Sequence, residues 1–514
     1  MDAAPGSTNP RDGSPLEPVT WTPAAEVAAT IVAARDAQPA WAARPQRERN
    51  DALRAVAREI LERRAEIAAI MSSETGRTPT DCIASEMVFV MDNIEGAIRV
   101  AEKALATEKV RLSALDFPGK KIVVEAVPRG VIGIIAPWNY PLANFYKSLW
   151  PALLAGNAVV MKPSEFTPRT GAWLAEAVRK YVPSGCVQLV QGAGDVGAAL
   201  MPGVDGLVFT GSLATGRKIA ERAGGLLVPC SVELGGKDAA IVLADCNFDR
   251  TVAGIVHWSL HNAGQDCASV ERVYVENAIA DKFIAAVAKT AAKVRTATEA
   301  TGHAEMGPLQ TPAQVAIVEA HIADAVAKGA KLLVGGQRTG TGLGFQATVL
   351  DGCTAEMRVM REETFGPVVA IQRVADAEEA IRLANDSDYG LCGSVWTTDT
   401  TKGEALARRL NVGVAMVNNH AFTGTMHETP WSGVRGTGHG VAMSAHAYGV
   451  FVRRRTLLVD KNSGPDAWWF PADANLDAFM DAASKKALGA LGAIFTLLPL
   501  LMRRASTIKK FASE

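Results

Sequence analysis

Apolar and polar positions follow two different periods along the chain. Residues 23–110 repeat apolar positions at helical spacing, as in ERNDALRAVAREILERRAEIAAIM. From Lys121 the chain instead carries short runs rich in Val and Ile: GVIGIIAP (130–137), AVVMKP (158–163), VQLVQG (187–192), GLVFTG (206–211) and AAIVLA (239–244). Helical segments separate the first four runs. This alternation predicts an α/β fold with a parallel sheet covered by helices on both faces.

The same alternation continues through Asn419, with a predicted helix at DRTVAGIVHWSLHNAG and a strand at RVYVE. A length of 514 residues predicts two or three domains. Residues 1–22 are polar and rich in Pro, Gly and Ser, which predicts a disordered lead without the features of a secretory signal.

The last part of the chain contains an apolar run, Ala487–Met502, between basic residues. As one helix it would be about 24 Å long, shorter than the about 30 Å hydrocarbon core of a bilayer. Three interpretations stay open: a transmembrane span, an interfacial anchor with basic flanks, or a helix that covers apolar surface of its own oligomer.

Charge and cysteine spacing exclude several classes of protein. The formal net charge of −1 argues against a nucleic-acid partner, which would need a basic face. The seven cysteines are scattered, with no CxxC pair, so we expect neither a disulfide framework nor a zinc site. A reducing, cytoplasmic location fits best, with membrane association through the tail left open.

Three short motifs offer chemistry. In HNAGQDCASV the small neighbours of Cys267 leave its sulfur open to a substrate, which favours a nucleophile over a core cysteine. Glu233 lies within the apolar run of SVELGGK, where burial would raise its pKa into the range of a general base; the alternative is a solvated glutamate at a strand end. Asn139 in APWNYP is either a rigid oxyanion donor or part of an ordinary turn.

Glycine-rich turns suggest a dinucleotide. GAGDVG (192–197) matches G-x-G-x-x-G, but the next strand ends without the acidic residue of that fingerprint, so a tight strand-to-helix turn is the favoured interpretation. KPSE (162–165) and FTGSLATG (209–216) each follow a predicted strand, where ligands of parallel sheets bind. Lys162 and Glu165 could hold ribose hydroxyls, and Gly211 could admit a phosphate at a helix N-terminus.

Taken together, these motifs closely resemble those of the aldehyde dehydrogenase superfamily. The family pattern is present in order, as PWNYP, KPSE, FTGSxxxG, ELGGK, GQxC, ETFGP (363–367) and NDSDYGL (385–391). The resemblance extends from about residue 25 to about residue 460, and GQDC together with ELGGK is its most specific part.

The resemblance implies a role for each matching residue. Cys267 would be the nucleophile, Glu233 the general base and Asn139 the oxyanion donor, with no metal in the site. Cofactor contacts would come from Pro137, Trp138, Lys162, Glu165, Gly211, Ser212, Leu234, Gly235, Glu363 and Phe365. Within that set, Lys162 and Glu165 would bind the adenosine ribose, and Glu363 and Phe365 the nicotinamide side. Because Glu165 would repel a 2′-phosphate, we expect NAD, with NADP as the alternative.

The resemblance also implies a domain plan. Residues 23–110 and 129–235 would form a Rossmann-like cofactor domain and residues 236–448 an α/β catalytic domain. Residues 111–128 and 449–462 would form a small β extension that pairs subunits into a homodimer or homotetramer. Residues 463–514 would form a tail with an apolar helix.

The expected reaction is oxidation of an aldehyde to the acid through a thiohemiacetal and a thioester on Cys267. The presence of Glu233 favours hydrolysis over transfer to coenzyme A. The substrate is expected to be an apolar aliphatic or aromatic aldehyde; the alternatives are a semialdehyde, or a non-catalytic protein on the same scaffold. Trp431 and Gly436 depart from the family pattern in loop positions. His420 and His427 lie near the expected substrate tunnel, and a structural role is favoured for both.

Overall fold

The computed structural model describes residues 7–113, 117–298, 303–490 and 492–513. The chain divides into two compact units. Unit 1 comprises Met1–Leu105 and Val127–Arg453, and unit 2 comprises Ala106–Ala126 and Arg454–Glu514.

The helices are, in chain order, α1 Val27–Ala42, α2 Gln46–Glu62, α3 Arg64–Thr75, α4 Pro79–Glu86, α5 Val90–Ala104, α6 Ala143–Leu154, α7 Pro168–Arg179, α8 Gly194–Leu200, α9 Leu213–Leu226, α10 Phe248–Leu260, α11 Asn277–Ala291, α12 Pro312–Ala327, α13 Arg358–Arg361, α14 Ala377–Asn385, α15 Thr400–Ala407, α16 Ala474–Ala487 and α17 Ala493–Ser513.

The strands are β1 Glu108–Val110, β2 Lys120–Pro128, β3 Val131–Ile135, β4 Ala158–Lys162, β5 Val187–Leu189, β6 Gly206–Thr210, β7 Cys230–Glu233, β8 Asp238–Val242, β9 Val270–Glu276, β10 Lys331–Val334, β11 Arg338–Thr339, β12 Gly344–Phe345, β13 Thr348–Asp351, β14 Val368–Val374, β15 Cys392–Trp396, β16 Val414–Val417, β17 Trp431–Ser432, β18 Val441–Ala442 and β19 Val452–Asp460.

Unit 1 contains two large sheets. A five-stranded sheet has the order β5-β4-β3-β6-β7, and all of its strand pairs are parallel. A seven-stranded sheet has the order β10-β13-β14-β9-β8-β15-β16, parallel except for the β10–β13 pair. Burial of β3, β4 and β8 along their whole length explains why these strands lack polar alternation in the sequence. The α/β prediction is confirmed.

The N-terminal segment differs from the disordered lead predicted for residues 1–22. Asn9 and Arg11 are buried, and Arg11 donates from Nη1 to the Gly76 carbonyl at 3.4 Å. Thr22 donates its backbone N–H to the Gln191 carbonyl at 2.7 Å. These contacts hold residues 7–22 against the rest of unit 1. Residues 1–6 lie outside the described residues.

Unit 2 contains the three-stranded sheet β1-β2-β19 and the helices α16 and α17. The apolar run Ala487–Met502 does not form one helix, because α16 ends at Ala487 and α17 begins at Ala493. Gly489, with φ of +90°, provides the left-handed backbone of the break. Among the described residues, no helix combines the length and the apolar character needed to cross a bilayer. Arg504 of α17 is buried and donates to Asp473 at 2.7 Å.

Candidate active site

Three segments that are distant along the chain meet in unit 1. Asn139 follows β3, Glu233 ends β7, and Cys267 lies in the loop before β9. Cys267 lines both a cavity of about 310 Å³ and a second cavity of about 280 Å³. Glu233 lines the first cavity and Asn139 the second, so the sulfur lies where the two meet.

The loop that carries Cys267 depends on small residues and on buried amide contacts. Gly264 has φ of +69°, and a Cβ on it would lie 2.0 Å from a backbone oxygen. The Gln265 amide is buried and donates to two backbone carbonyl oxygens, both at 3.1 Å. Asp266 accepts from the Ala268 backbone N–H at 3.0 Å. These contacts fix the backbone on both sides of the sulfur.

Asn139 is buried and held through its backbone. Its carbonyl oxygen accepts from Asn262 Nδ2 at 2.9 Å and from Arg77 Nη1 at 3.3 Å. Its side-chain Nδ2 donates to the Gln265 carbonyl at 3.1 Å, and its Oδ1 accepts from Asn144 at 3.4 Å. A primary amide has two N–H bonds, so one remains for a substrate oxygen. A buried amide held in this way, with one N–H free, is suited to bind an oxygen that gains negative charge.

Burial raises the pKa values of both Glu233 and Cys267. Burial raises the pKa of the Glu233 carboxyl to about 8, with Lys147 opposing the shift. Within the described residues, Glu233 Oε1 is buried without a hydrogen-bond partner. Burial also raises the pKa of Cys267, with Asp266 and Asp238 adding to the shift. A proton acceptor beside the sulfur is therefore required for thiolate formation near neutral pH.

A long cleft leads to the sulfur from the five-stranded sheet. A cavity of about 1030 Å³ lies at the carboxyl ends of its strands, and it is continuous with the 280 Å³ cavity through shared residues. Lys162 is buried there, and burial lowers its pKa. Ser212 caps α9 by accepting from the Thr215 N–H at 3.4 Å. Gly194, which begins α8 in the GAGDVG motif, lines the cleft with no atom within 4 Å of an added Cβ.

All ten cofactor contacts expected from sequence line this continuous space. The 1030 Å³ cavity is lined by Pro137, Trp138, Lys162, Glu165, Gly211 and Ser212, and the 280 Å³ cavity also by Leu234, Gly235, Glu363 and Phe365. Glu363 accepts from the Gly236 N–H at 2.9 Å, and burial raises its pKa to about 8. The Trp138 and Phe365 rings meet edge to face at 5.6 Å. The space suits an extended dinucleotide that ends near Cys267.

The 310 Å³ cavity contains polar residues that sequence reasoning did not assign. Tyr140 donates to Asp266 Oδ2 at 3.0 Å, and its hydroxyl lies 3.0 Å from His261 Nδ1. His257 and Lys147 also line the cavity. Lys147 could have been found from helical spacing, because Ala143, Asn144 and Ser148 on the same helix line the cavity as well.

His420 and His427 do not line the cavity. Both are buried, and burial lowers the pKa of His420 to about 4 and that of His427 to about 3. His420 Nδ1 lies 2.9 Å from Ser394 Oγ. The structural role favoured for them from sequence agrees with this burial.

Comparisons with known proteins give a consistent result. The family model described as "Aldehyde dehydrogenase family" matches residues 4–457. The chain is 39% identical over 434 residues to a putative succinate-semialdehyde dehydrogenase [NADP(+)] 2 of Mycobacterium ulcerans (strain Agy99), covering 83% of each chain. It is 34% identical over 482 residues to a 4,4'-diapolycopene aldehyde oxidase of Methylomonas sp, covering 92% of this chain and 90% of that protein.

Solved structures agree. A Mycobacterium tuberculosis aldehyde dehydrogenase complexed with NAD+ matches with a TM-score of 0.84 and 33% identity, covering 89% of this chain and 95% of that one. A lactaldehyde dehydrogenase from Escherichia coli matches with a TM-score of 0.83 and 33% identity, covering 90% and 96%.

Proposed function

The chain belongs to the aldehyde dehydrogenase family and is an NAD(P)-dependent oxidoreductase, and from this premise we propose that Cys267, Glu233 and Asn139 carry its chemistry on an apolar aldehyde. The observation that carries the proposal is the position of Cys267 at the meeting point of the dinucleotide cleft and the 310 Å³ cavity.

The proposed reaction begins with proton transfer from the Cys267 thiol to the Glu233 carboxylate. The thiolate attacks the carbonyl carbon of the aldehyde, and the oxyanion accepts from Asn139 Nδ2 and from the Cys267 backbone N–H. Bound NAD(P) supplies the hydride acceptor that turns the thiohemiacetal into a thioester. Glu233 releases the thiol proton to solvent and, again as a carboxylate, removes a proton from the water that hydrolyses the thioester. This step releases the carboxylic acid and restores the Cys267 thiolate.

The chain's own residues fit the dinucleotide. Lys162 and Glu165 would hold the adenosine ribose, the Gly211–Ser212 turn at the start of α9 the pyrophosphate, and Glu363 the second ribose. A Cβ at Gly211 would lie 2.5 Å from the Phe209 ring, so this turn has no room for a side chain.

We propose NAD as the preferred cofactor because the Glu165 carboxylate would repel a 2′-phosphate. Replacing Glu165 with Gln should improve kcat/KM for NADP relative to NAD.

The lining of the 310 Å³ cavity supports an apolar substrate. Its large apolar side chains are Phe89, Trp258, Leu391, Phe422, Trp431 and Met443. Among the described residues that line it, Lys147 is the one Lys or Arg, and it lies beside Glu233 and Cys267 rather than at a distal position. A distal carboxylate would thus be desolvated without a cationic partner.

A substrate panel tests this assignment. We expect hexanal and benzaldehyde to give higher kcat/KM than succinic semialdehyde. The reverse order would favour the semialdehyde activity named for the mycobacterial relative. Absence of aldehyde-dependent NADH formation with every substrate would favour a non-catalytic protein.

The nucleophile has a separate test. Cys267→Ser should abolish turnover, whereas Cys353→Ser, at a buried cysteine that lines neither cavity, should retain it. Retained activity in Cys267→Ser would assign the nucleophile to another residue.

We also propose that unit 2 provides two surfaces for association. The strand β19 is an edge strand with exposed side chains, which supports pairing with a second copy in a homodimer or homotetramer. The helices α16 and α17 expose Leu488 (88%), Phe495 (84%) and Leu498, and the basic residues Lys485 and Lys486 precede them in the chain, which supports docking on an anionic bilayer surface.

Liposome flotation tests the bilayer contact. Full-length protein should float with vesicles that contain an anionic phospholipid, and replacing both Phe495 and Leu498 with Ser should reduce the floating fraction. Leu227→Ser is the matched control, because Leu227 is 89% exposed but lies in unit 1. Equal flotation of all three proteins would contradict the proposed surface.

A further inference from the structure

A cluster of three potential metal ligands lies within unit 1, outside the residues assigned to catalysis. Asp238 begins β8 and Cys392 begins β15, and these strands are neighbours in the seven-stranded sheet. His420 follows β16. One ligand atom of each residue lies within 4.8 Å of the other two, and all three residues are buried.

Three side-chain atoms of this cluster lack hydrogen-bond partners among the described residues. No hydrogen bond of normal length and angle from the described residues reaches either carboxylate oxygen of Asp238. The same is true of His420 Nε2. A buried carboxylate and a buried imidazole nitrogen without partners are costly, so their positions indicate a ligand that completes them.

The imidazole is oriented as in metal sites. A ligating histidine commonly donates its second ring N–H to a neighbouring oxygen, which fixes the tautomer and the ring plane. His420 Nδ1 lies 2.9 Å from Ser394 Oγ, so an Nδ1–H can donate there and Nε2 then carries the free lone pair. Ser394 Oγ also accepts from Trp396 Nε1 at 3.0 Å, which its second lone pair allows.

Charge balance favours a divalent cation. One carboxylate, one thiolate and one neutral imidazole together carry two negative charges, which a divalent cation cancels. A donor set of oxygen, sulfur and nitrogen is typical of Zn²⁺, and a water molecule would supply the fourth ligand of its usual tetrahedron.

We propose that Asp238, Cys392 and His420 form a structural zinc site behind the loop that carries Cys267. The site is close to that loop: a Cβ on Gly236 would lie 3.0 Å from Asp238 Oδ1 and 2.4 Å from the Cys267 carbonyl oxygen. Cys392 also packs in the same buried cluster as Ala268. Zinc there would cross-link β8, β15 and the segment after β16, and would thereby stabilise the backbone next to the loop that carries Cys267.

The proposed site differs from the expectation drawn from cysteine spacing. That expectation considered ligands that are close along the chain, whereas these three are brought together by adjacent strands of one sheet. Spacing in the sequence therefore carries no signal for it.

Zinc content of the full-length protein tests the proposal. After expression in zinc-containing medium and removal of loosely bound metal with EDTA, mass spectrometry should find about one zinc per protomer. Cys392→Ser and His420→Gln should lose most of this zinc. Cys353→Ser should keep it, because Cys353 is a buried cysteine that belongs to no such cluster among the described residues.

Two further measurements keep the result unambiguous. Cys267→Ser should retain zinc; loss of zinc in that variant with retention in Cys392→Ser would assign the metal to the catalytic thiol and overturn the proposal. Cobalt-substituted wild type should show a thiolate-to-cobalt charge-transfer absorption that Cys392→Ser lacks. If a variant fails to fold, the wild type decides: a wild type without zinc, whose Tm does not rise when it is refolded with zinc, overturns the site. Neither readout depends on dehydrogenase activity.

Discussion

At the scale of single residues, access distinguishes Cys267 from other cysteines of the chain. Burial raises the thiol pKa of Cys82, Cys186 and Cys353 to about 12, and it raises that of Cys267 as well. Only Cys267 among these four lines the two cavities that meet at the proposed site. Reactivity must therefore come from a neighbouring base and from the bound substrate and cofactor, not from an intrinsically acidic thiol.

The raised pKa of Glu233 predicts a pH profile. A carboxyl group with a pKa of about 8 is mostly protonated at neutral pH, and its basic form increases as the pH rises. The rate of thioester hydrolysis should therefore rise by about tenfold per pH unit below this pKa and level off above it. Glu233→Gln should slow hydrolysis by about 10²- to 10⁴-fold and flatten the profile. Single-turnover acid formation as a function of pH measures both effects.

The control for this profile is Glu102→Gln, at an exposed position of α5. It should keep the wild-type rate and pH dependence. If Glu233→Gln also keeps them, Glu233 is not the base.

Asn139 gives a second prediction at this scale. Asn139→Ala removes the side-chain amide and its contact with the Gln265 carbonyl, but keeps the backbone carbonyl that Asn262 and Arg77 bind. Asn262 Nδ2 still donates to the Gln265 carbonyl at 3.2 Å, so the loop that carries Cys267 should remain in place. Loss of one oxyanion donor should lower kcat by about 10²- to 10³-fold with a small change in KM. Steady-state kinetics with hexanal measure the two constants. A kcat within a few-fold of wild type would exclude the oxyanion role.

Sequence reasoning predicted residues at strand ends better than residues that meet through side chains. Lys162 was singled out because it follows an apolar run, and it ends β4 of the five-stranded parallel sheet. Glu233 was singled out as a carboxylate within an apolar run, and it ends β7 of the same sheet. The contact of Tyr140 with Asp266 and His261 was not predicted, because it joins a turn after β3 to the loop before β9. Motif spacing does not encode such a contact.

At the scale of elements, strands buried along their length were predicted well and segment ends less well. The five apolar runs between residues 130 and 244 each contain a strand. The expectation of one helix across Ala487–Met502 was wrong, because apolar content alone does not indicate the break at Gly489. The prediction of a disordered N-terminal lead was wrong over residues 7–22. Arg11 binds the Gly76 carbonyl, which lies far along the chain and cannot be inferred from local composition.

The connection between α3 and α6 gives a stability prediction. Arg77 is buried and binds Asp81 and Glu86, both at 2.7 Å. Glu86 also accepts from the Leu142 and Ala143 N–H groups, both at 2.9 Å, at the start of α6. Arg77→Met would leave the buried Glu86 carboxylate and the partly buried Asp81 carboxylate without their cation, so the free energy of unfolding should fall by about 3–5 kcal/mol. Chemical denaturation monitored by fluorescence measures it.

Arg54→Met is the matched control for Arg77→Met. Arg54 binds Glu95 at 2.6 Å, but both side chains are about one-third exposed, so the loss should be about 0–1 kcal/mol. Equal losses in the two variants would mean that the buried ion pair at Arg77 does not stabilise the fold.

At the scale of the whole molecule, unit 1 by itself contains the complete proposed active site. The five-stranded sheet provides the dinucleotide cleft, and the loop before β9 presents the sulfur to it. The 310 Å³ cavity reaches the same sulfur, so nicotinamide and aldehyde can approach it together. None of the described residues of unit 2 lines these three cavities, so association is the role that we propose for this unit.

Because the proposed active site lies within unit 1, a change in unit 2 should alter assembly without altering the active site. Leu458 lies on the edge strand β19 and is 51% exposed, so Leu458→Lys places a charge where a second copy would pair. We expect a smaller molar mass by light scattering after size-exclusion chromatography, with a cooperative unfolding transition retained. Leu332→Lys is the control, because Leu332 is similarly exposed (42%) on β10 at the edge of the seven-stranded sheet. A wild-type protein that is already monomeric, or a Leu458→Lys variant of unchanged mass, would show that β19 does not hold subunits together.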